Sequence, residues 1–410
     1  MLVEKTHIAN YTPWVVCFLA SLYFFYEIVQ LTVFNTISSD LIKSFALSST
    51  QLGAISASYF YACALSLLPA GLILDRFPAK LVLTIACGLC TLGVWILATS
   101  QLVEMMVVGR ILTGVGNAFA FLGAMRLASR WFSGQKIALV MGFSVTIGML
   151  GGVISQAPFM LLVDFFGWRS AMYFNAVMGI IMTVTLFLWI YDRPIQSSSK
   201  LASGKSMLLS LIVDLKLSAS NLQNWLCGLY TGLLNLPVMI LGALWGNTYL
   251  IQEKNIAVNQ AASITSLIFF GLIIGAPLLG WITDKFKERY TVMILSALLS
   301  LITVLSIMYL PLHFLSFCGL FFIMGILSGA QTLSYPIVSE NNPGALESAC
   351  LGLVAVIVNV IAALLQSLFG GLIESSYEMA MLILPIGFSV SLIIAVVIRC
   401  YCQKSKNSSI

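Results

Sequence analysis

The chain has 410 residues, 60% of them hydrophobic and only 9% charged, where a soluble domain carries roughly 25% charged residues. That excludes a globular fold in water and leaves a chain whose main solvent is lipid. The net charge of +5 follows from where the basic loops fall and gives no sign of a nucleic-acid partner.

A helix of about 20 apolar residues crosses a hydrocarbon core of roughly 30 Å, and only structures that satisfy their own backbone polar groups can do so. Apolar stretches predict twelve such helices, at residues 13–36, 50–74, 81–100, 103–126, 137–162, 171–191, 222–250, 258–282, 290–310, 314–338, 348–373 and 378–399. None alternates at period two, as a barrel strand would. Sixteen Lys and Arg residues, from Lys5, Arg76 and Lys80 to Arg399, Lys404 and Lys406, fall on one side of this pattern, against Lys43, Arg169 and Lys254 on the other. The positive-inside rule then puts both termini in the cytoplasm. The first helix follows a short polar leader without a small-residue cleavage pattern and reads as an uncleaved span. Of the nine cysteines, Cys87 and Cys90 form a C-x-x-C in mid-helix, and Cys400 and Cys402 end the last helix. They read as small apolar packing residues. With His7 and His313 the only histidines, neither a metal site nor a cofactor is expected.

Two short loops repeat one pattern. After the second helix comes Gly71-Leu72-Ile73-Leu74-Asp75-Arg76-Phe77-Pro78-Ala79-Lys80, and after the eighth Gly280-Trp281-Ile282-Thr283-Asp284-Lys285-Phe286-Lys287-Glu288-Arg289. Glycine, acid and two bases recur at one offset, since 280 − 71, 284 − 75, 285 − 76 and 289 − 80 all equal 209. The glycine permits close helix approach, and the acid can cap or accept from nearby backbone and basic groups.

This loop resembles the G-x-x-x-D-[RK]-x-x-[RK] signature of the major facilitator superfamily. The resemblance implies an all-α integral membrane protein with twelve helices in two pseudo-symmetric six-helix bundles and a site between them near the midplane. The bundles would be residues 1–191 and 222–410, joined by a cytoplasmic linker at 192–221, where 206–217 reads equally as an interfacial amphipathic helix or a flexible tether. Arg110-Ile111-Leu112-Thr113-Gly114-Val115-Gly116-Asn117-Ala118 is similar to the family's fourth-helix pattern, and Gly167-Trp168-Arg169 to the opening of its sixth helix. The fifth helix has Gly142, Gly148, Gly151, Gly152 and Pro158 but Met149-Leu150 where antiporters carry a Gly-Pro pair. That departure counts against drug/proton antiport. The repeated loops, with Gly71, Asp75, Arg76, Lys80, Gly280, Asp284, Lys285 and Arg289, are expected to act as conformational latches.

Two charges fall inside spans, where each costs roughly 2.5–3.5 kcal/mol on insertion scales. At 1.5 Å per residue, Glu27 lies about 14 Å and Arg110 about 10 Å from the outer ends of their helices, so an ion pair between them is open to the fold. The other reading of the same residues has Arg110 tying its helix to neighbouring carbonyls and Glu27 reaching toward water. Positions 27 and 110 plus 209 are Leu236 and Gly319, so the second half has no counterpart charge. Helical spacing puts Tyr23, Gln30 and Phe34 with Glu27, and Thr113, Gly114, Asn117 and Phe121 with Arg110. In the second half Thr231, Asn235, Trp245 and Tyr249, and Ser328, Gln331 and Tyr335, would line the same cavity. Such faces suit a small polar or zwitterionic solute.

Tyr23-Phe24-Phe25-Tyr26-Glu27, Ala157-Pro158 and Asn342-Pro343 are similar to one branch of the superfamily: phagosomal nutrient transporters of intracellular bacteria and, more distantly, lysosomal dipeptide transporters. This implies uptake of an amino acid or small peptide by a monomer in a bacterial inner membrane, coupled to protons, with Glu27 and Arg110 answering the amino and carboxylate ends. An exporter of drugs or metabolites and a proton-independent uniporter stay open. A transport-derived sensor or membrane enzyme finds no support, because the tail after Cys402 is short and no G-x-x-x-x-G-K-[ST] loop is present.

Overall fold

The computed structural model describes residues 12–132, 135–192 and 213–407, and among them the regular structure is helical. Four long helices open the chain: α1 (Thr12–Phe45), α2 (Ser49–Arg76), α3 (Ala79–Thr99) and α4 (Val103–Trp131). Ser48 and Gln51 close a reciprocal capping box on α2, the Ser48 hydroxyl accepting from Gln51 N at 3.2 Å and the Gln51 side chain from Ser48 N at 2.9 Å. Two-residue connections at Phe77–Pro78 leave the chain no choice but to turn back. α1 outruns its predicted end at 36 because Asn35, Thr36 and Ser38, which lower the local hydropathy, are buried against other helices instead of facing water.

The stretch Leu139–Trp189 is 51 residues long, about 75 Å as one helix and more than twice the bilayer core, so it must fold back. It breaks twice, giving α5 (Gln135–Ile154) and α6 (Ala157–Trp189). Hydrogen bonds locate the reversal. Ser155 and Gln156 bond to Thr36 and Asn35, Trp168 reaches Ser44 at the far end of α1, and Asn175 is back beside Gln30. The chain therefore leaves along α1 as far as Gly167 and returns. Gly167 takes φ 77°, ψ 156°, a conformation that a residue without Cβ adopts at little cost. Residues 157–166 complete the fifth crossing and 168–189 make the sixth, where hydropathy alone predicts a loop of several residues.

In the second half α7 runs in three pieces, Leu222–Leu234, the π-helical Pro237–Trp245 and Gly246–Gln252, bent by 43°. α8 (Val258–Phe286) and α9 (Arg289–Tyr309) follow. α10 comprises Phe314–Ser328, a 3-10 turn at Gly329–Leu333 and Ser334–Glu340; α11 is Glu347–Ile373; α12 comprises Tyr377–Met381 and Ile383–Asn407. Among the described residues this makes twelve crossings in two six-helix bundles. The linker expected at 192–221 lies outside the described residues for 193–212; residues 213–220 are helical.

The face that carries the two repeated loops is the basic face. On the opposite face the bundles are pressed together. A Cβ added to Gly53 would sit 2.8 Å from the Gln366 carbonyl, one on Gly370 would sit 2.5 Å from the Ser49 carbonyl, and one on Gly152 would overlap the Phe269 ring. The Thr50 amide donates to Glu374 at 3.2 Å, and hydrogen bonds from the Thr50 side chain and amide hold that carboxyl below its usual range. Toward the basic face, Gly142 on α5 and Gly352 on α11 meet no atom within 4 Å. The bonds from Thr50 to Glu374, from Asn247 to Asn35 and from Gln156 to Gly242 join the bundles on the far side. The molecule is closed opposite the basic loops and parts toward them.

Gly370→Val should wedge α2 from α11, because the added atoms meet the Ser49 backbone at 2.5 Å and the Trp245 ring at 3.1 Å. Labelling of a cysteine at Ala57, in a background stripped of native cysteines, by a membrane-impermeant thiol reagent should accelerate; an unchanged rate would show that this seam has slack.

Candidate functional site

Arg110 and Glu27 are both fully buried. Arg110 Nη1 donates to the Gln30 carbonyl on α1 at 2.7 Å. The guanidinium is sandwiched, its carbon 4.2 Å from the Phe34 ring centre and 4.4 Å from that of Tyr59, an arrangement that returns part of the desolvation cost through the ring quadrupoles. Its Nε and Nη2 have no hydrogen-bond partner, whereas the Glu27 carboxyl has the Tyr23 hydroxyl and the Cys90 thiol beside it. The two groups do not form the ion pair that their depths left open. Ion pairs do form elsewhere, at Arg130–Asp192 and Arg289–Glu340. The reason is register: Glu27 packs beside Gly116, whose added Cβ would lie 2.7 Å from Oε1, and Gly116 is six residues, about 9 Å, along α4 from Arg110.

Around them Tyr23 donates to the Gly116 carbonyl at 2.9 Å, Thr113 to the Arg110 carbonyl at 2.9 Å, and Asn117 to the Cys63 sulfur at 3.3 Å. Gln30 is turned into its own bundle, where it exchanges two hydrogen bonds of 3.0 Å with Asn175. Of the residues expected on cavity faces, Tyr23, Gln30, Phe34, Thr113, Thr231, Asn235, Trp245, Tyr249 and Ser328 are buried in this conformation, while Asn117, Gln331 and Tyr335 keep part of their surface. Phe121 is exposed and tilted against Phe24.

The second half contributes two helix breaks that meet. α7 loses its α-helical register after Asn235, and α10 tightens to a 3-10 turn around Gln331; Gln331 Nε2 donates to Asn235 Oδ1 at 3.1 Å across the gap. Thr231 and Ser334 pair their hydroxyls at 2.5 Å just below. Broken helices at membrane depth occur where backbone lines a site or a neighbour re-satisfies it. Trp245 stacks on Phe369 with centroids 5.8 Å apart at the seam, and Tyr249 stands apart near the far face, beside Tyr377 and Lys254.

A cluster that hydropathy does not single out closes the far side. Asn35 Nδ2 donates to Gln156 Oε1 at 2.9 Å, Gln156 Nε2 to the Gly242 carbonyl at 3.0 Å, the Asn247 amide to Asn35 Oδ1 at 2.9 Å, and Thr265 to Asn247 Oδ1 at 2.8 Å. All four side chains are buried; the bonds from Gln156 to Gly242 and from Asn247 to Asn35 cross between the bundles, and the other two brace each side. Pro158 is the sequence signal. Without an N–H it cannot bond the carbonyl four residues back, the helix breaks at Ser155–Gln156, and Gln156 takes a non-helical φ of −93° and ψ of −106°.

The repeated loops differ in their contacts. Asp192 accepts from the Ala79 and Lys80 amides at 2.9 and 3.0 Å, capping α3, and Lys80 lies over Phe187 and Tyr191. Arg76 is exposed. In the second loop Arg289 forms a two-bond fork with Glu340 at 2.9 and 3.0 Å, Lys285 covers Trp281, and Asp284 is exposed. The close helix approach expected at the glycines is not made here, since neither Gly71 nor Gly280 has a neighbour within 4 Å; both lie on the face where the bundles part.

The Major Facilitator Superfamily profile matches residues 18–250 and 227–407. The chain belongs to that superfamily. It is an integral membrane protein. It is 24% identical over 300 residues to the putative multidrug resistance protein MdtD of Yersinia pseudotuberculosis, an alignment that takes in 70% of this chain and 62% of that protein. It is 22% identical over 250 residues to the hexuronate transporter of Bacillus subtilis, 59% of this chain and 58% of that one. With the 4-hydroxybenzoate transporter PcaK of Pseudomonas aeruginosa the identity is 24% over 312 residues, 67% of each. The chain thus spans about three fifths of the length of MdtD. A variant of the nucleoside transporter NupG shares the fold with a TM-score of 0.77 at 15% identity, covering 94% of this chain and 99% of that one. A bacterial homologue of the human lysosomal transporter Spinster, in an inward-facing, unoccupied conformation, gives 0.72 at 14% identity, covering 95% and 96%.

Gln156→Leu keeps the volume and removes the bonds that join the bundles, so the far side should open more often. A cysteine at Ala243 should become more reactive to an impermeant thiol reagent, whereas Gln156→Glu, which keeps the acceptor oxygen and loses both donors, should fall between. Reactivity equal to the parent protein in both variants would leave the clasp without a gating role.

Proposed function

We propose that this transporter takes up a small polar metabolite, an amino acid or short peptide, together with protons, by alternating access across a bacterial inner membrane, as a monomer with both termini in the cytoplasm. The observation that carries this reading is the pair of buried opposite charges left without mutual contact. Structural charges inside a membrane protein are normally paired. Here Arg110 keeps two donors unspent and Glu27 has only the Tyr23 hydroxyl and the Cys90 thiol beside it, so neither charge has an ion-pair partner, and a zwitterion supplies both. Proton coupling needs a titratable group inside the bundle, and Glu27 is that group, facing Tyr23, Cys90 and Gly116 with Arg110 beyond.

The sixteen-to-three distribution of basic residues makes the basic face cytoplasmic, and the observed conformation is then inward-facing. Alternating access would close the basic face, where Gly71 and Gly280 have room for an approaching helix and the repeated loops, through Asp75, Arg76, Lys80, Asp284, Lys285 and Arg289, would latch it. Asp75→Asn should therefore slow turnover more than it weakens binding. The half-buried Asn117, Gln331 and Tyr335, with Asn235 behind, would form the solute's path on the cytoplasmic side. Export is the second reading, favoured by the likeness to MdtD; substrate accumulating in energised cells that lack the gene would support it.

In proteoliposomes loaded against a panel of labelled amino acids and dipeptides, Glu27→Gln should abolish the acceleration of uptake by an inward proton gradient, because an amide cannot titrate. Counterflow, which needs no net proton movement, should survive. A Glu27→Gln protein that concentrates substrate with the parental dependence on the gradient would rule out Glu27 as the coupling acid.

A further inference from the structure

The guanidinium of Arg110 offers five N–H donors in a rigid plane. Nη1 is spent on the Gln30 carbonyl, and the two faces are covered by Phe34 and Tyr59. What remains is the edge made by Nε and Nη2, buried and unpartnered. That edge holds two parallel N–H bonds at the spacing of the two oxygens of a carboxylate. Glu27 is not the missing acid, since it packs against Gly116 outside ion-pair range. A second orphan lies alongside: the Tyr59 hydroxyl is buried without a partner, on the ring that covers the guanidinium.

Tyr59 also belongs to the seam. It packs in one apolar cluster with Leu31, Ala57 and Phe60 of its own bundle and with Ala243, Ala362 and Ala363 of the other. Tyr59 thus lies against Arg110 and belongs to a cluster that spans the seam, so relative movement of the bundles changes its surroundings.

Resting on the reading of Arg110 as part of the transport site, we propose that its Nε–Nη2 edge is the receptor for the carboxylate of the solute, and that Tyr59 is a specificity-determining lid over that receptor which donates its hydroxyl to the bound carboxylate. The solute class is then a free monocarboxylate of small size, whatever its other end carries. An ester or amide presents one acceptor where the fork needs two, and a bare amine presents none.

The test is ligand-induced thermal stabilisation of the purified full-length protein in detergent, with leucine, phenylalanine, alanylalanine, glucuronate and 4-hydroxybenzoate, each beside its primary amide. At least one acid should bind, and its amide should bind about tenfold or more weakly, since a site built to pair polar groups rejects a ligand that leaves them unpaired. Arg110→Lys, which keeps the charge and loses the fork, should erase that acid-to-amide ratio. Tyr59→Phe should lower it by about threefold to tenfold with the unliganded melting temperature little changed, which a packing role for the ring would not produce. Arg110 variants that do not fold leave Tyr59→Phe as the deciding measurement. Amides that bind within about twofold of their acids, a ratio untouched by Tyr59→Phe, or no acid bound at about 10 mM, well above ordinary site affinities, would each overturn the receptor. Binding of glucuronate or 4-hydroxybenzoate, and not of the amino acids or dipeptide, with the acid-to-amide ratio intact would uphold the receptor and overturn the amino-acid reading instead.

Discussion

Every polar group that this chain takes into the bilayer has to find its partner inside the protein, and the architecture is the working-out of that constraint. Continuous helices satisfy it automatically. Wherever a helix breaks, the freed backbone must be met by side chains, and the breaks sit where polar side chains are concentrated. Ser155–Gln156 is met by Thr32, Asn35 and Thr36; the discontinuity of α7 is met by Gln156 at Gly242 and by Gln331 at Asn235. The amide side chains of Asn and Gln suit this task because each offers donors and acceptors at once, and their neutrality spares the cost of burying a charge. They also make a contact that can be made and broken: in an opened state the same groups can bond to water instead, so the free-energy difference between open and closed stays small.

The two bundles repeat in fold but divide the chemistry. The first holds the buried charges and encloses them with aromatic rings; the second holds no buried charge at positions 236 and 319 and offers broken helices with neutral polar side chains. A solute bridging them would have its charged ends fixed by one bundle while the other supplies hydrogen bonds. Alternating access by rocking of two rigid bodies needs such a division, because a solute held equally by both would resist separation from either. The covalent repeat at the loops shows the same divergence. Asp192 caps α3 in one bundle, whereas Arg289 and Glu340 fork together in the other.

Much of this was legible in the sequence. Hydropathy and length place the twelve crossings, the 209-residue offset of the two loops shows the repeat, and Glu27 and Arg110 stand out because a charge in a span has few innocent explanations. What was not legible is contact across distance in sequence. The ends of α1 and α4 suggested a depth match that would pair the two charges, but antiparallel helices set register by packing, and the small Gly116 draws Glu27 past Arg110. Gln156, Asn35, Asn247 and Thr265 are each unremarkable polar residues in apolar stretches; only Pro158 hints that the helix breaks beside Gln156. Tyr59 is, by sequence, an aromatic on an apolar helix with nothing to set it apart. The turn at Gly167 was hidden for a related reason, since the apolar residues on both sides run on without a polar loop to mark it.

The position of Tyr59 bears on how movement and binding are connected. Arg110 is anchored to α1 through the Gln30 carbonyl and lies between rings from α1 and α2, so it moves with its own bundle. Tyr59 lies against Arg110 and shares a cluster with the small residues Ala243, Ala362 and Ala363 of the opposite bundle. Small residues allow the helix carrying Tyr59 to approach closely, and they give the ring no pocket that would hold it once the seam opens. Parting of the bundles on the far side thus withdraws one wall from the ring while leaving Arg110 in place. The cost of uncovering a guanidinium is lowest when water or an anion arrives as the ring leaves. An anionic solute therefore stabilises the opened state more than a neutral one does, and the differential needed to shift a two-state equilibrium arises at the site that recognises the solute.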